Sequence, residues 1–260
     1  MDLGLKNKFA LITGGSHGIG LGTAQTLADE GCNVAICARS EDRLREAVSD
    51  LKARKVDVIG IQADVLIPED IERVMSDVIG AWGTVHILVN NVGGGGRWGS
   101  PDVQETSEQV WIDVYDKNAM AAVRFTRLAL PYMRKQKWGR VVTVASIFGR
   151  EAGGRPWFNM AKSAEISLMK TLSMNRDLVR DGITFNTVAP GDIYIPGTGS
   201  EREKLEDGDA FRRRVDAELP LGRMGTSEEV ANIILFICSS KTDLLNGATI
   251  SVDGGQSRSF

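Results

Sequence analysis

An apolar run, Phe9–Thr13, breaks into Gly14-Gly15-Ser16-His17-Gly18-Ile19-Gly20 and continues into a segment of helical period. No other feature of the chain constrains its fold as much. Glycines at such a turn let the backbone bend sharply and bring main-chain N–H groups, at the positive end of a helix, against a pyrophosphate. A glycine turn alone is also an ordinary strand-to-helix connection. Here strand, spacing and helix occur together, and that combination points to a dinucleotide site.

The rest of the chain repeats the alternation. Val34–Ala38, Val56–Gln62, Val85–Asn90, Val141–Ala145, Ile183–Val188 and Ala248–Val252 read as further strands, and Arg43–Ala53, Glu69–Ile79 and Val110–Arg134 as helices. The strands are mostly apolar rather than alternating, which indicates burial on both faces, as in a parallel sheet. The expected fold is therefore α/β: a single-domain, Rossmann-like, doubly wound parallel sheet of about seven strands spanning residues 1–260. Thr226-Ser227-Glu228-Glu229 has the form of a capping box. The stretch Gly191–Glu206, rich in glycine and charge, reads as irregular, and with Ala210–Glu218 it forms an expected substrate loop over about 191–218.

Charge narrows the function classes. The 31 Lys+Arg against 34 Asp+Glu leave a net charge of −3 without sign-segregated halves, which argues against nucleic acid or a membrane surface as the main partner. Cys32, Cys37 and Cys238 are odd in number and lack C-x-x-C spacing, so they read as reduced core residues. Met1–Lys8 lacks the pattern of a signal peptide, and no apolar run approaches the ~18 residues of a transmembrane helix. The cytoplasm is the expected location, and no metal site is expected.

The second strand ends Ala38-Arg39, where an NAD site usually carries an acid for the ribose 2′-hydroxyl. The missing acid and the adjacent guanidinium favour NADP(H) over NAD(H). Arg39 has a plainer reading as a solvated residue at a helix entrance. Asn90-Asn91-Val92-Gly93 ends the fourth strand, and Ser146 ends the fifth. Phe158 and Lys162, four residues apart, share one helix face.

The T-G-x-x-x-G-x-G spacing from Thr13, the Asn90–Gly93 turn, and Ser146 followed by Phe158-x-x-x-Lys162 resemble the short-chain dehydrogenase/reductase family. Leu219–Gly225 and Val252-Asp253-Gly254-Gly255 extend the likeness over nearly the whole chain. Within the family the chain resembles 3-oxoacyl-thioester or carbonyl reductases. The resemblance implies cofactor contacts at Gly14, Ser16, His17, Gly18, Ile19, Gly20, Arg39, Asp64, Val65, Asn91, Gly93, Lys162, Pro190, Gly191 and Ile193. His17 stands where NADP-binding relatives often carry a basic residue, and Asp64 where the adenine amino group is bound. Substrate contacts are implied at Ser146, Trp157 and Tyr194, although Trp157 reads equally as core. The catalytic set would be Ser146, Lys162, Asn118 and the position of Phe158. The resemblance further implies hydride exchange between a carbonyl and an alcohol, and a homotetramer.

Phe158 departs from the pattern, because relatives carry tyrosine there as proton donor. Three explanations stay open: a natural branch with altered chemistry, an introduced tyrosine-to-phenylalanine change, or another acid. Tyr194 is the best stand-in, although it reads more readily as an aromatic wall of the substrate loop. Tyr115 faces packing, and His17 and His86 belong to the adenosine end and to a buried strand. A protein that binds NADP(H) without dehydrogenase turnover is the alternative function.

Overall fold

A computed structural model describes residues Met1–Phe260. Three strand–helix repeats open the chain: β1 (Phe9–Thr13), α1 (Gly18–Asp29), β2 (Asn33–Ala38), α2 (Glu41–Lys52), β3 (Val58–Gln62), α3 (Pro68–Trp82) and β4 (Ile87–Asn90). Next come α4 (Glu108–Tyr115), a π-helical turn (Asp116–Met120), α5 (Ala121–Lys135), β5 (Gly139–Val144), a 3₁₀ turn (Ile147–Gly149), α6 (Pro156–Ser173), α7 (Arg176–Arg180) and β6 (Ile183–Pro190). The chain closes with β7 (Ile193–Tyr194), α8 (Gly199–Glu206), α9 (Gly208–Glu218), β8 (Gly225–Thr226), α10 (Ser227–Cys238) and β9 (Thr249–Val252).

Seven strands form one parallel sheet in the order β3-β2-β1-β4-β5-β6-β9. The order reverses between β1 and β4, and ligands of such sheets bind outside the strand ends at that point. Side chains alternate across the sheet, which explains the mostly apolar strands. Ala10, Ile12, Val34 and Ile36 face α1, α2 and α10, whereas Leu11, Ala35, Cys37 and Val141 face α3, α5 and α6. Both faces are covered over most of the sheet, so the few polar strand residues, among them Asn90, Arg140, Thr143 and Asn186, are buried, and only β3 at the sheet edge exposes Gly60 and Gln62.

The ends of the elements follow local chemistry. Ser40 caps α2, whose helix therefore begins two residues before Arg43. α3 opens on Pro68 and stops at Gly83, which takes the left-handed conformation. The capping box of α10 forms as expected: Thr226 Oγ1 accepts from the Glu229 N–H at 3.2 Å, and the Glu229 carboxylate accepts from the Thr226 N–H at 2.9 Å.

Two expectations are corrected. Val110–Arg134 is not one uninterrupted α-helix, because the π turn inserts an extra residue between α4 and α5. Gly191–Glu206 is not irregular, because Ile193–Tyr194 pairs in parallel with Gly225–Thr226 and residues 199–206 are helical. The three cysteines are buried and unpaired as disulfides, and burial pushes the Cys32 and Cys37 thiols up to about 12. No helix is long and apolar enough to cross a membrane.

Candidate functional site

The turns that follow β1, β2, β4, β5 and β6 meet at the C-terminal edge of the sheet. After β1, Gly20 has no room for a side chain: a Cβ there would lie 2.3 Å from the Gly14 carbonyl oxygen. Asn91 ties this turn to the end of β4, its amide donating to the carbonyls of Thr13 (2.9 Å) and Gly14 (3.2 Å). Thr13 Oγ1 in turn accepts from the N–H groups of Asn91 and Val92. A cavity of about 220 Å³ results, lined by Gly14, Ala38, Arg39, Asp64, Asn91 and Lys117, among others.

This cradle fits a nucleotide. Ala38 leaves the end of β2 without an acid, and Arg39 is 60% exposed, with Nη1 3.8 Å from the Asp64 carboxylate. Asp64 spends its other oxygen on the Leu66 N–H, shaping the approach to α3, so only part of its carboxylate faces outward. Val65 is buried beside it. Lys117, which the sequence did not single out, is a second cation in the cleft. Burial, and then the charge of Arg39, lower its pKa, and its ammonium stands 4.7 Å from the centre of the Trp98 ring. His17 lines a separate cavity together with Gly18, Tyr194 and Ile195. Ile195 packs over Gly18, so the segment after β7 lies against the glycine turn. Gly191 donates to the Val252 carbonyl, and Ile193 packs its side chain against the core while pairing with Gly225.

The pairing of Asn90 with Thr143 sets residues 91–93 beside 144–146. Ser146 ends this segment half-buried, and its Oγ accepts from the Phe148 N–H at 3.2 Å, so the hydroxyl hydrogen is free to donate. Lys162 is buried on α6, its Nζ donating to the Val144 carbonyl at 3.1 Å and to the Glu165 carboxylate at 3.0 Å. Asn118 lies in the π turn. Both its amide hydrogens are engaged, by the carbonyls of Gly94 (2.9 Å) and Val114 (2.6 Å), while Oδ1 accepts from the Gly94 N–H and keeps one lone pair. A Cβ on Gly93 would fall 2.8 Å from both Asn118 Oδ1 and Lys162 Nζ. Only glycine therefore lets these two groups share one approach.

Phe158 occupies the wall of this arrangement. Its ring lies against Gly96, and its centre is 5.7 Å from Lys162 Nζ. It brings no titratable group.

Trp157 corrects an expectation. It is fully buried against Trp111, with its indole N–H on the Gly95 carbonyl at 3.2 Å, and does not line a substrate cleft. Successive helix residues point about 100° apart, so with Phe158 turned to Gly96 and Lys162, Trp157 is turned into the packing of Trp111 and Val114. The Tyr194 hydroxyl donates to the Glu201 carboxylate at 3.3 Å, and partial burial and that carboxylate raise its pKa. The shift is opposite to what a proton donor near neutral pH needs. The cavities that Tyr194 lines, with His17 and Ile195 or with Lys204 and Phe211, include neither Ser146 nor Lys162.

A parallel sheet with a glycine cradle at its switch point, and a serine and a lysine at the neighbouring strand end, define a dinucleotide-dependent oxidoreductase. Comparison with known proteins agrees. A family model described as enoyl-(acyl carrier protein) reductase matches residues 14–257. The chain is 34% identical over 251 residues to the 3-oxoacyl-[acyl-carrier-protein] reductase FabG of Staphylococcus epidermidis, covering 96% of this chain and 98% of that protein. It is 32% identical over 259 residues to a putative ketoacyl reductase of Streptomyces coelicolor, covering 96% and 97%. The solved L-sorbose reductase from Gluconobacter frateurii, complexed with NADPH and L-sorbose, superposes with a TM-score of 0.92 at 32% identity, covering both chains fully. The chain belongs to the short-chain dehydrogenase/reductase family of oxidoreductases.

Proposed function

We propose that this protein interconverts a ketone and an alcohol with NADP(H) as hydride carrier, at a site whose proton delivery is weakened by Phe158. The observation that carries the reading is the convergence of Asn118 and Lys162 on Gly93, with Ser146 at the end of the paired neighbouring strand segment. A bound nicotinamide nucleotide supplies or accepts the hydride. Ser146, with one lone pair held by the Phe148 N–H, donates its hydroxyl hydrogen to the substrate oxygen and stabilises the charge that develops there. Lys162 keeps one N–H beyond those given to Val144 and Glu165, and its buried charge favours an oxyanion nearby. Asn118 Oδ1 has a lone pair for a water beside Lys162.

Arg39 and Lys117, with no acid at Ala38, support preference for the 2′-phosphate of NADP(H). Likeness to FabG and to a reductase solved with NADPH and L-sorbose supports ketones and 3-oxoacyl thioesters as the substrate class. Phe158 favours one second reading, a protein that binds NADP(H) without turning it over. Following NADPH consumption over a panel of ketones and 3-oxoacyl thioesters separates the two. Consumption with any member supports the enzyme, and tight NADPH binding without consumption across the panel supports the second reading.

The reading extends to a single nucleotide-binding domain whose substrate loop runs over about residues 191–218. A homotetramer is supported by β9, a half-buried edge strand with one side unpaired. Buried, reduced cysteines support a cytoplasmic location.

A further inference from the structure

Glu165 is the one carboxyl sealed in the core beside the site. It is 1% exposed, one helical turn beyond Lys162 on the buried face of α6 that also carries Ala161 and Met169. A buried ion pair of this kind is costly to assemble, and a neutral residue of similar shape would fill the space as well. Its partner is the lysine whose usual neighbour, a phenol, is absent from this chain.

We propose that Glu165 is a positioning residue for Lys162, holding the ammonium against the Val144 carbonyl and setting, by gaining or losing one proton, how much positive charge Lys162 presents to a nucleotide and substrate.

Geometry carries this. Lys162 Nζ has two partners, Val144 and Glu165, and its remaining N–H points the charge toward Gly93 and Asn118. Burial pushes the Glu165 carboxyl up, to about 7, against the pull of the Lys162 ammonium. No other charge reaches it. On α6 itself Lys162 is the only ionisable neighbour on that face; β6 beneath carries no ionisable side chain, and β5 carries only Arg140, tied to Asp243 at the far end of the strand. From the π turn, Lys117 bears on Lys162 and Asp116 is paired with Arg124. Arg150, after the 3₁₀ turn, is held by Ser251, and the charges of α4 and α7 (Glu108, Asp113, Arg176, Asp177, Arg180) are not buried. Protonated, Glu165 leaves Lys162 a bare cation. Ionised, it cancels most of that cation's field at the site.

The inference rests on the proposed nucleotide site, and the test separates the two. Affinity for NADPH and for NADH would be measured by calorimetry from about pH 5.5 to about pH 8.5, for the protein as it stands and for Glu165→Gln and Glu165→Asp. NADH is included because the 2′-phosphate of NADPH itself titrates near pH 6. The expected result is a loss of roughly 3- to 10-fold in affinity for both nucleotides as Glu165 ionises. That loss should be absent in Glu165→Gln and displaced in Glu165→Asp. Infrared titration of the unsubstituted protein reads the same event without a variant, as a buried carboxyl band that disappears near neutral pH. A pH step with NADH that survives in Glu165→Gln, or no such band, overturns the proposal. Absence of any nucleotide binding at every pH overturns the site reading, and the proposal falls with it. Intact but pH-independent binding overturns the proposal alone.

Discussion

Replacing Phe158 by tyrosine restores one oxygen atom, and the structure sets how much that atom should return. The ring centre is 5.7 Å from Lys162 Nζ. At that distance, with an effective dielectric of about 20, a cation stabilises a phenolate by about 3 kcal/mol. That corresponds to roughly two pK units, bringing the new phenol from about 10 toward about 8. Glu165, ionising near 7, opposes part of this shift. A phenol in this range is protonated at neutral pH and is a weaker acid than an ideal donor. General acids contribute about 10²–10⁴ in rate, so Phe158→Tyr should raise kcat/KM for carbonyl reduction by about 10²–10³, or roughly 3–4 kcal/mol of barrier. The assay is steady-state NADPH oxidation with each ketone that either form reduces, repeated across pH. The gain should come with a new fall in rate above about pH 8 as the phenol ionises. A change of less than about tenfold, with no new basic limb, would refute the reasoning and show that the proton already comes from another group.

Four further outcomes follow from the same geometry. Arg39→Ser should weaken NADPH binding by about tenfold while leaving NADH binding within about twofold, as read by fluorescence titration; equal losses for both would remove Arg39 from 2′-phosphate recognition. Trp157→Ala should lower stability by about 3–5 kcal/mol in chemical denaturation, because the indole is core; a changed KM at full stability would return it to the substrate wall. Thr226→Ala should cost about 1 kcal/mol by opening the α10 capping box, with nucleotide affinity unchanged. His86, whose Nδ1 accepts from the Phe9 N–H at 3.2 Å, has its pKa lowered from its ordinary 6.5 to about 4 by burial and then by Lys8. The unfolded chain therefore takes up a proton between those values that the folded one refuses, and stability should fall as pH drops from about 6.5 to about 4. His86→Gln should flatten that part of a thermal-melt pH series, and an unchanged slope would remove His86 as its source.

What could be read in the chain was what its local rules fix. Strands buried on both faces are mostly apolar rather than alternating, so all seven were found within about two residues of their ends. The glycine turn and the Asn90–Gly93 turn were legible because only small residues fit backbone that close. Trp157 was ambiguous because a large aromatic can line a pocket or fill the core equally well, and only its packing against Trp111 decides for the core. The π turn left no trace, since one extra residue barely disturbs the apolar period of Val110–Arg134. Lys117 was hidden for the same reason, its direction being set by that turn. Glu165 was available in principle: a carboxylate three residues from Lys162, on the face shared with Ala161 and Met169, breaks the apolar stripe. A charged residue at helical spacing reads first as solvated surface, and only the depth of the face reveals otherwise.

The π turn has a consequence for how this stretch tolerates change in length. An α-helix advances about 100° per residue, so deleting one residue between Asp116 and Met120 would let α4 and α5 fuse into one regular helix. The fused helix would gain hydrogen bonds locally and still be wrong, because everything before the deletion would be rotated by that angle. Val114 would leave Gly95 and Trp157, and the Asn118 amide would leave Gly94. Insertions and deletions here act like a change of gear between two wheels, even where each side chain is kept. The segment should therefore accept many substitutions and almost no change of count.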